Sequence, residues 1–305
     1  EYFTLMKKLY EKMGHDNGYV PGWTTHTEVL LYEETGDTRY VDLLAGDMRE
    51  QLGRYKTDGI VEKGLKRTGF KIPHRVAASA GVLLHHESFP EEDKETLRSF
   101  IGELLSHAEY ERGAMNRAFG FMAALNPLRG FFGPHQEDDD FDEVERRLAN
   151  DWKQNCEPEE RSYGYEALTY LYLIDWIESG GHQEWYHLPG MKRGFENMLY
   201  SRAGNGRCAV FGDWRPWEPC WGLYAAVFEK AAAVYQDGRF KFIAERLIEA
   251  WETELATDVL QHPHDLMGLS FACRWCDDAV PSRIPADSQA PITRNSGAPE
   301  RLVLR

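Results

Sequence analysis

Four residues of this chain carry groups that can donate or move protons. Asn116 and Arg117 are adjacent in the small-residue stretch 112–118, and Tyr163 and Tyr165 follow a carboxylate-rich turn. One chemistry open to such groups is β-elimination at a uronate, which needs a donor for the sugar carboxylate, a base for the ring proton and an acid for the leaving oxygen. In that reaction Asn116 and Arg117 would serve the carboxylate, and Tyr165, or else Tyr163, would act as base and acid in turn.

A second set of polar and aromatic side chains is predicted to bind the sugar. Charged groups would contact its substituents, and aromatic rings would stack on its faces. The candidates are His74, Arg161, Glu160, Asp213, Trp214, Trp152 and Trp23. We expect the catalytic residues to converge with Arg161 and Asp213 on one cleft, because the loops at one end of a helical ring gather at its mouth.

Three other functions remain open on the same residues. Carboxylates in the polar turn and beyond it could provide the acid and base of a glycoside hydrolase. They are Glu157, Glu159, Glu160 and Asp213. Residues 138–142 match the DDxxD pattern with which class I terpene cyclases hold magnesium and diphosphate, although acids before a helix ordinarily favour its N-terminus. The chain could also bind a glycan without turning it over.

Helices must position these groups, because the hydrophobic pattern predicts eleven or twelve helices and hardly a strand. Residues 162–177 carry apolar or aromatic side chains on nearly every side, so this helix is expected to be surrounded by protein. Other helices are predicted over 2–13, over 112–125 with a stop at Asn126-Pro127, and over roughly 184–200.

The junctions between helices repeat a common pattern. Residues 36–40, 180–185 and 237–240 each combine glycine, a polar residue and an aromatic residue. Glycine ends a helix in the left-handed conformation, and the polar residue caps the next helix. Stacked antiparallel helix pairs of this kind predict an all-α fold, an α/α toroid of five or six pairs.

Composition excludes several classes of partner. With 35 basic and 50 acidic residues the net charge is −15, which argues against nucleic acid. No apolar run approaches the roughly 18–20 residues that cross a bilayer, so we expect no membrane partner. No basic or apolar signal segment follows Glu1, so we expect a signal peptide to be absent or already removed.

No cofactor and no metal are expected. One spacing resembles a zinc site, namely His262 and His264 followed by Cys273 and Cys276. We expect no structural zinc there, because cysteines three residues apart on an aromatic-rich helix are usually small buried hydrophobes.

The end of the chain differs in composition from the rest. Residues 277–305 hold four of the chain's 14 prolines and end in the β-prone sequence RLVLR. We therefore divide the chain into a helical domain, 1–285, and a linker with a possible first strand of a β domain, 286–305.

Three stretches together resemble the toroid domain of heparinase II/III-like and alginate-lyase-like polysaccharide lyases. They are 112–118, 159–165 and 211–214, and the tail resembles the start of the β-sandwich that follows the toroid in these enzymes. The resemblance implies a secreted or periplasmic lyase that acts on a uronate-containing polysaccharide or oligosaccharide. It also marks a departure, because Arg117 stands where these lyases often carry a histidine that assists catalysis.

Overall fold

A computed structural model describes residues 1–15, 24–58, 71–106, 116–131, 138–159, 162–201, 220–255, 263–285, 293–295 and 302–304. Within these ranges lie twelve α-helices and one 3₁₀ helix. The first six are α1 (Tyr2–Met13), α2 (Thr25–Thr35), α3 (Arg39–Asp58), α4 (Lys71–Leu83), α5 (Glu91–Ser106) and α6 (Asn116–Gly130). The others are α7 (Asp138–Asn155), α8 (Tyr163–Gly180), the 3₁₀ helix Gln183–His187, α9 (Met191–Tyr200), α10 (Trp221–Tyr235), α11 (Gly238–Leu255) and α12 (Pro263–Trp275). The all-α prediction is confirmed for this part of the chain.

Helix α1 has the predicted bounds because its apolar residues recur at helical spacing. Its buried side chains are Tyr2, Leu5, Met6, Leu9 and Tyr10. The helix ends at Gly14, whose backbone N–H donates to the Tyr10 carbonyl. Burial of one face and a glycine cap are therefore sufficient to fix both ends.

Helix α8 is surrounded by protein, as its all-round apolar sequence predicts. Leu171 and Ile174 have no exposed surface. The helix ends at Gly181, which adopts the left-handed conformation with φ 73°. A helix buried on every side can present functional groups only near its ends or through polar residues placed in the core.

Two proline positions make the helix boundaries differ from the sequence predictions. Helix α6 does not stop at Asn126-Pro127 but continues to Gly130, with Pro127 inside it. Leu128 in that last turn is fully buried, and this packing outweighs the hydrogen bond that proline removes. The helix predicted over 184–200 is instead divided, because Leu188 before Pro189 takes an extended conformation with ψ 139°.

The junction pattern is confirmed at one place and modified at another. Gly36 has φ 67°, and Asp37 Oδ1 accepts from the Arg39 backbone N–H at 3.0 Å. At the later junction Gln236 takes the left-handed conformation, with φ 50°, whereas Gly238 begins α11. A Cβ on Gly238 would lie 2.0 Å from the Pro281 carbonyl oxygen, so glycine is needed there for close backbone approach.

The even-numbered helices contact one another in a closed cycle. Helix α2 contacts α4, α4 contacts α6, α6 contacts α8, α8 contacts α10, α10 contacts α12, and α12 contacts α2 again. The odd-numbered helices α1, α3 and α11 pack against members of this cycle. The buried core is thus continuous through the even-numbered helices.

Side-chain contacts give the direction of neighbouring helices in this cycle. Thr27 near the start of α2 contacts Ser270 of α12, and Glu33 near its end pairs with Arg274. On the other side of α2, residues His26 and His74 are hydrogen-bonded near the starts of α2 and α4. The Glu33–Arg274 contact lies further along both α2 and α12 than the Thr27–Ser270 contact, so these two helices run in the same direction.

Glycines allow α10 and α12 to approach closely. A Cβ on Gly222 would lie 2.4 Å from the Asp265 carbonyl oxygen, and one on Gly268 would lie 2.2 Å from the Gly222 carbonyl carbon. The Gly222 N–H also donates to Asp265 Oδ1 at 2.8 Å. Any larger residue at either glycine would push the two backbones apart.

The tail contains two short strands. Strand β1 (Thr293–Asn295) pairs antiparallel with β2 (Leu302–Leu304), with Arg294 opposite Val303. The predicted strand in RLVLR is therefore present, and its partner is an earlier part of the same tail. None of the described helices is long and apolar enough to cross a membrane.

Candidate functional site

Buried polar side chains concentrate in the first turns of the even-numbered helices. Such groups cost free energy unless they are hydrogen-bonded or functional. They include Thr25, His26, Thr27 and Glu28 on α2, His74 on α4, Asn116 on α6, Glu166 on α8 and Asp265 on α12. These residues form a polar layer at the starts of the even-numbered helices.

Helices α6 and α8 run in the same direction. Phe119 of α6 lies near Trp176 of α8, with 6.2 Å between ring centroids. Further along α6, Asn126 approaches the end of α8, because a Cβ on Gly180 would lie 2.6 Å from Asn126 Nδ2. The first residues of both helices therefore lie at the same end of the molecule.

The predicted catalytic residues occupy those first turns. Asn116 begins α6 and is 1% exposed, whereas the next residue, Arg117, is exposed. Tyr163 begins α8, and Tyr165 is its third residue. Aligned by these two contacts and with a rise of about 1.5 Å per residue, Tyr165 lies roughly 7–12 Å further towards this end than Asn116 does, about one and a half to two helical turns.

The two tyrosines differ in how they are held. Tyr163 is 2% exposed and packs against Tyr224, with ring centroids 5.1 Å apart. The Tyr224 hydroxyl also donates to the Tyr163 carbonyl oxygen. Tyr165 is only half-buried. Of the two rings, Tyr165 is the one that a ligand can reach.

A chain of three polar side chains crosses the core beside these helices. His26 Nε2 lies 2.9 Å from His74 Nδ1, and His74 Nε2 lies 2.9 Å from Asp175 Oδ2. Because a carboxylate only accepts hydrogen bonds, His74 donates to Asp175. The side chain of Asp175 is 23% exposed, so the His26–His74–Asp175 chain runs from the buried interior to solvent.

Burial keeps His26 neutral. It lowers the pKa of His26 well below its usual range, and the neighbouring His74, Arg274 and Arg75 act in the same direction. Phe271 packs against the rings of both histidines, at 5.2 and 6.0 Å between centroids. A neutral imidazole in an apolar wall can accept or pass on a proton, but it cannot bind an anion as a charged group.

A second histidine, His15, lies between two carboxylates on the other side of α2. Its Nδ1 is 2.7 Å from Glu28 Oε1 and its Nε2 is 3.1 Å from Asp47 Oδ1. These two hydrogen bonds, to Asp47 and then to Glu28, raise the pKa of His15 to about 10. Tyr10 also donates to Glu28 Oε1, at 2.9 Å.

Arg75 interacts with both polar groups. Burial lowers the pKa of Arg75 to about 10, although the nearby Tyr172 and Asp47 act in the opposite direction. Tyr172 packs edge-on against His74, with ring centroids 4.7 Å apart. The polar layer therefore continues from Asp47 through Arg75 to His74.

Two predicted sugar-binding residues need correction. His74 is 3% exposed and both of its ring nitrogens are already hydrogen-bonded, so it has no group available for a substrate. Trp152 has no exposed surface and packs edge-on against Phe119 and Tyr170, so it is a core residue that cannot stack on a sugar. The other candidates of this set, Trp23, Glu160, Arg161, Asp213 and Trp214, lie outside the described residues.

The carboxylates of the alternative readings are engaged in local contacts where they can be seen. Glu157 Oε1 accepts from Asn197 Nδ2 at 2.7 Å. Asp142, the last acid of the DDxxD pattern, lies 3.4 Å from Arg129, and the side chains of residues 138–140 lie outside the described set. Glu159 is exposed. A hydrolase pair or a magnesium site therefore gains no geometric support from these groups.

The residues of the zinc-like spacing are separated along α12. His264 and Cys273 are nine residues apart on one helix, about 13 Å along its axis, which is several times a zinc–ligand bond. Burial raises the pKa of Cys273 to about 12, which disfavours the thiolate that zinc needs. His262 lies outside the described residues.

Sequence reasoning missed His15, His26 and Asp175 as members of polar clusters. His26 and Glu28 belong to the polar run TTHTE, residues 24–28. No side-chain cap hydrogen bond forms there, and the run is instead buried. Its unusual length, five polar residues before a strongly apolar segment, was the available signal.

Comparison with known proteins adds no assignment, because no protein-family description matches the chain and no curated protein is detectably similar to it.

Proposed function

We propose that the twelve helices form an α/α toroid, with the even-numbered helices as the inner ring and the odd-numbered helices outside. The closed cycle of contacts from α2 round to α12 supports this arrangement. So does the common direction of α2 with α12 and of α6 with α8. In such a ring the first turns of the inner helices surround one mouth, where a long substrate can lie.

The activity that best fits this mouth is β-elimination on a uronate-containing polysaccharide, as in the lyases that the sequence resembles. One observation carries the proposal: Asn116 and the accessible Tyr165 begin neighbouring, parallel helices at the same end. Had the two helices run in opposite directions, these residues would lie at opposite ends of the molecule and could not act on one sugar.

The proposed chemistry divides between the two helices. Arg117 is exposed and would bind the uronate carboxylate from the solvent side, whereas the buried amide of Asn116 would meet it at the inner end of the cleft. Both would stabilise the charge that develops when the proton next to the carboxylate is removed. Tyr165 would remove that proton and then protonate the leaving oxygen. The reaction needs no cofactor.

A panel of uronate-containing polysaccharides tests the reaction type. A lyase releases products with a new ultraviolet-absorbing double bond, and a hydrolase releases reducing ends without that absorbance. A binding protein shows affinity without turnover. Absence of the absorbance on every polymer that binds would refute the elimination.

The Tyr165→Phe variant tests the residue assignment. It removes only a hydroxyl from a half-buried ring, so the fold is retained while the rate falls by roughly 10²–10⁴-fold. Tyr32→Phe is the matched control, a half-buried tyrosine in the second half of α2. Equal rates for Tyr165→Phe and Tyr32→Phe would exclude Tyr165 as the base, and Asn116→Ala with full activity would exclude the amide.

A further inference from the structure

The cluster His15–Glu28–Asp47 has the donor atoms of a metal site. One imidazole nitrogen and two carboxylate oxygens, one from each residue, all lie within 4.8 Å of one another. These residues come from three places in the fold: the segment after α1, helix α2 and helix α3. A single ion with bonds of about 2.0–2.2 Å joins ligand atoms at most about 4.4 Å apart, so a small shift of these side chains would bring all three atoms within its reach.

Two carboxylate oxygens in this cluster are unsatisfied. Among the described residues, Glu28 Oε2 and Asp47 Oδ2 are buried and have no hydrogen-bond partner. The Glu28 side chain has no exposed surface at all, so water cannot readily solvate it. A buried carboxylate oxygen without a donor is costly, and an unseen cation is one of the ordinary explanations for it.

The charges of the cluster also favour a cation. Two carboxylates beside one imidazole leave an excess of negative charge that is partly buried. A divalent ion bound to both carboxylates and to the imidazole gives a net charge of zero. Arg75 offsets part of the negative charge near Asp47.

We propose that His15, Glu28 and Asp47 bind one divalent transition-metal ion, for which Zn²⁺ is the probe. Imidazole with two carboxylates suits zinc, whereas Mg²⁺ prefers all-oxygen sites that keep several waters. The Tyr10 hydroxyl, bonded to Glu28 Oε1, would orient that ligand. Bound there, the ion joins the end of α1 to α2 and α3. The proposal is independent of the elimination chemistry at Asn116 and Tyr165.

Metal content and thermal stability test the site. Full-length protein is stripped with a chelator, loaded with Zn²⁺, dialysed and analysed for zinc per chain. The wild type is expected to retain about one equivalent more than His15→Gln or Asp47→Asn. Zinc should raise the Tm of the wild type by at least about 3 °C, and Mg²⁺ should not.

Controls separate this site from other zinc-binding groups. His86→Gln removes a histidine whose Nδ1 contacts Ser88 at the surface, and Asp42→Asn removes an exposed acid from the same helix as Asp47. Both should retain the wild-type zinc content and Tm shift. Asp47→Asn is expected to fold because that side chain is 21% exposed. Zinc retention equal in wild type, His15→Gln and Asp47→Asn, or no zinc in the wild type, would overturn the proposal.

Discussion

His15 packs against α2 and His26 belongs to it, yet their surroundings favour different protonation states. His15 lies between Glu28 and Asp47, and those two hydrogen bonds favour its protonated form. His26 faces another histidine and the apolar ring of Phe271, and burial favours its neutral form. Glu28 and His26 are two residues apart on one helix. The protonation state of each histidine is thus set by the groups that surround it. Closeness along the sequence does not determine it.

The comparison assigns different work to the two clusters. The His15 cluster holds compensating charges and fastens the end of α1 to α2 and α3. The His26–His74–Asp175 chain links a neutral His26 through His74 to Asp175, which reaches solvent. Because the His15 cluster is charged, loss of one of its charged partners should destabilise the fold. The His26–His74–Asp175 chain should instead be destabilising when His26 gains a proton.

The largest effect on stability is expected from removing the Glu28 carboxylate of the His15 cluster. Glu28→Gln leaves His15 and Tyr10 facing a neutral amide in a fully buried position. Glu28 accepts hydrogen bonds from both His15 and Tyr10, and a hydrogen bond to a charged group contributes about 1.5–3 kcal/mol, so the free energy of unfolding should fall by about 2–4 kcal/mol. Urea denaturation at pH 7 with a chelator measures it.

The control for that variant lies on the same helix. Glu33→Gln removes an acid whose side chain is 49% exposed and paired with Arg274, so a loss of only about 0–1 kcal/mol is expected. If Glu28→Gln cost no more than Glu33→Gln, the buried charge pair would not be stabilising the fold, and the comparison between the two histidines would fail.

A smaller effect is expected from alkaline pH acting on His15. Its folded-state pKa of about 10 lies above the ordinary value near 6.5, so its contribution is complete below about pH 6.5 and is lost as pH rises towards 10. Between pH 7 and pH 9 the loss should be about 1–2 kcal/mol after allowance for solvent screening. Chemical denaturation of wild type and His15→Gln, both with a chelator, gives the free energy of unfolding at each pH. The wild-type value should fall more steeply with rising pH, and equal pH dependences would refute the prediction.

The smallest effect is expected from acid acting on His26. Its pKa is lowered by burial, so the unfolded chain binds the proton first as pH falls below about 6.5. Its contribution is complete above that value and decreases by about 1 kcal/mol per pH unit below it. Wild type should therefore lose more stability than His26→Gln between pH 6.5 and 5.5, with His86→Gln matching the wild type. A His26→Gln profile as steep as the wild-type profile would show that His26 is protonated when folded.

The fold was predictable where the sequence of one segment alone determines its local structure. The apolar spacing of residues 2–13 and the glycine that follows determine α1, and the uninterrupted apolar sequence of 162–177 determines a buried helix. The predicted helix end at Pro127 was wrong because the local preference of proline for ending a helix is outweighed by burial of Leu128, which is a tertiary effect.

The candidate site was predictable only in part, for a related reason. The start of α8 was located because the tyrosines stand at a local change of composition, whereas the helix that contains Asn116 was predicted from residue 112 and is described from Asn116. The His26–His74–Asp175 chain joins residues 48 and 101 positions apart, and no local pattern encodes such a contact. His74 was noticed as a cation for a substrate, whereas its partners fix it as an internal group.

The contact between α1 and α12 has a consequence for synthesis of the chain on the ribosome. Met6 meets Ser270, which is 264 residues further on, at 3.3 Å, and the Tyr2 hydroxyl donates to Glu229. At roughly 5–20 residues per second, translation takes roughly 13–50 s to supply that partner. During this time the apolar face of α1 has no final place to pack, and a nascent chain that exposes such a face is a substrate for chaperones. The helix made first among those described here is thus among the last to be secured.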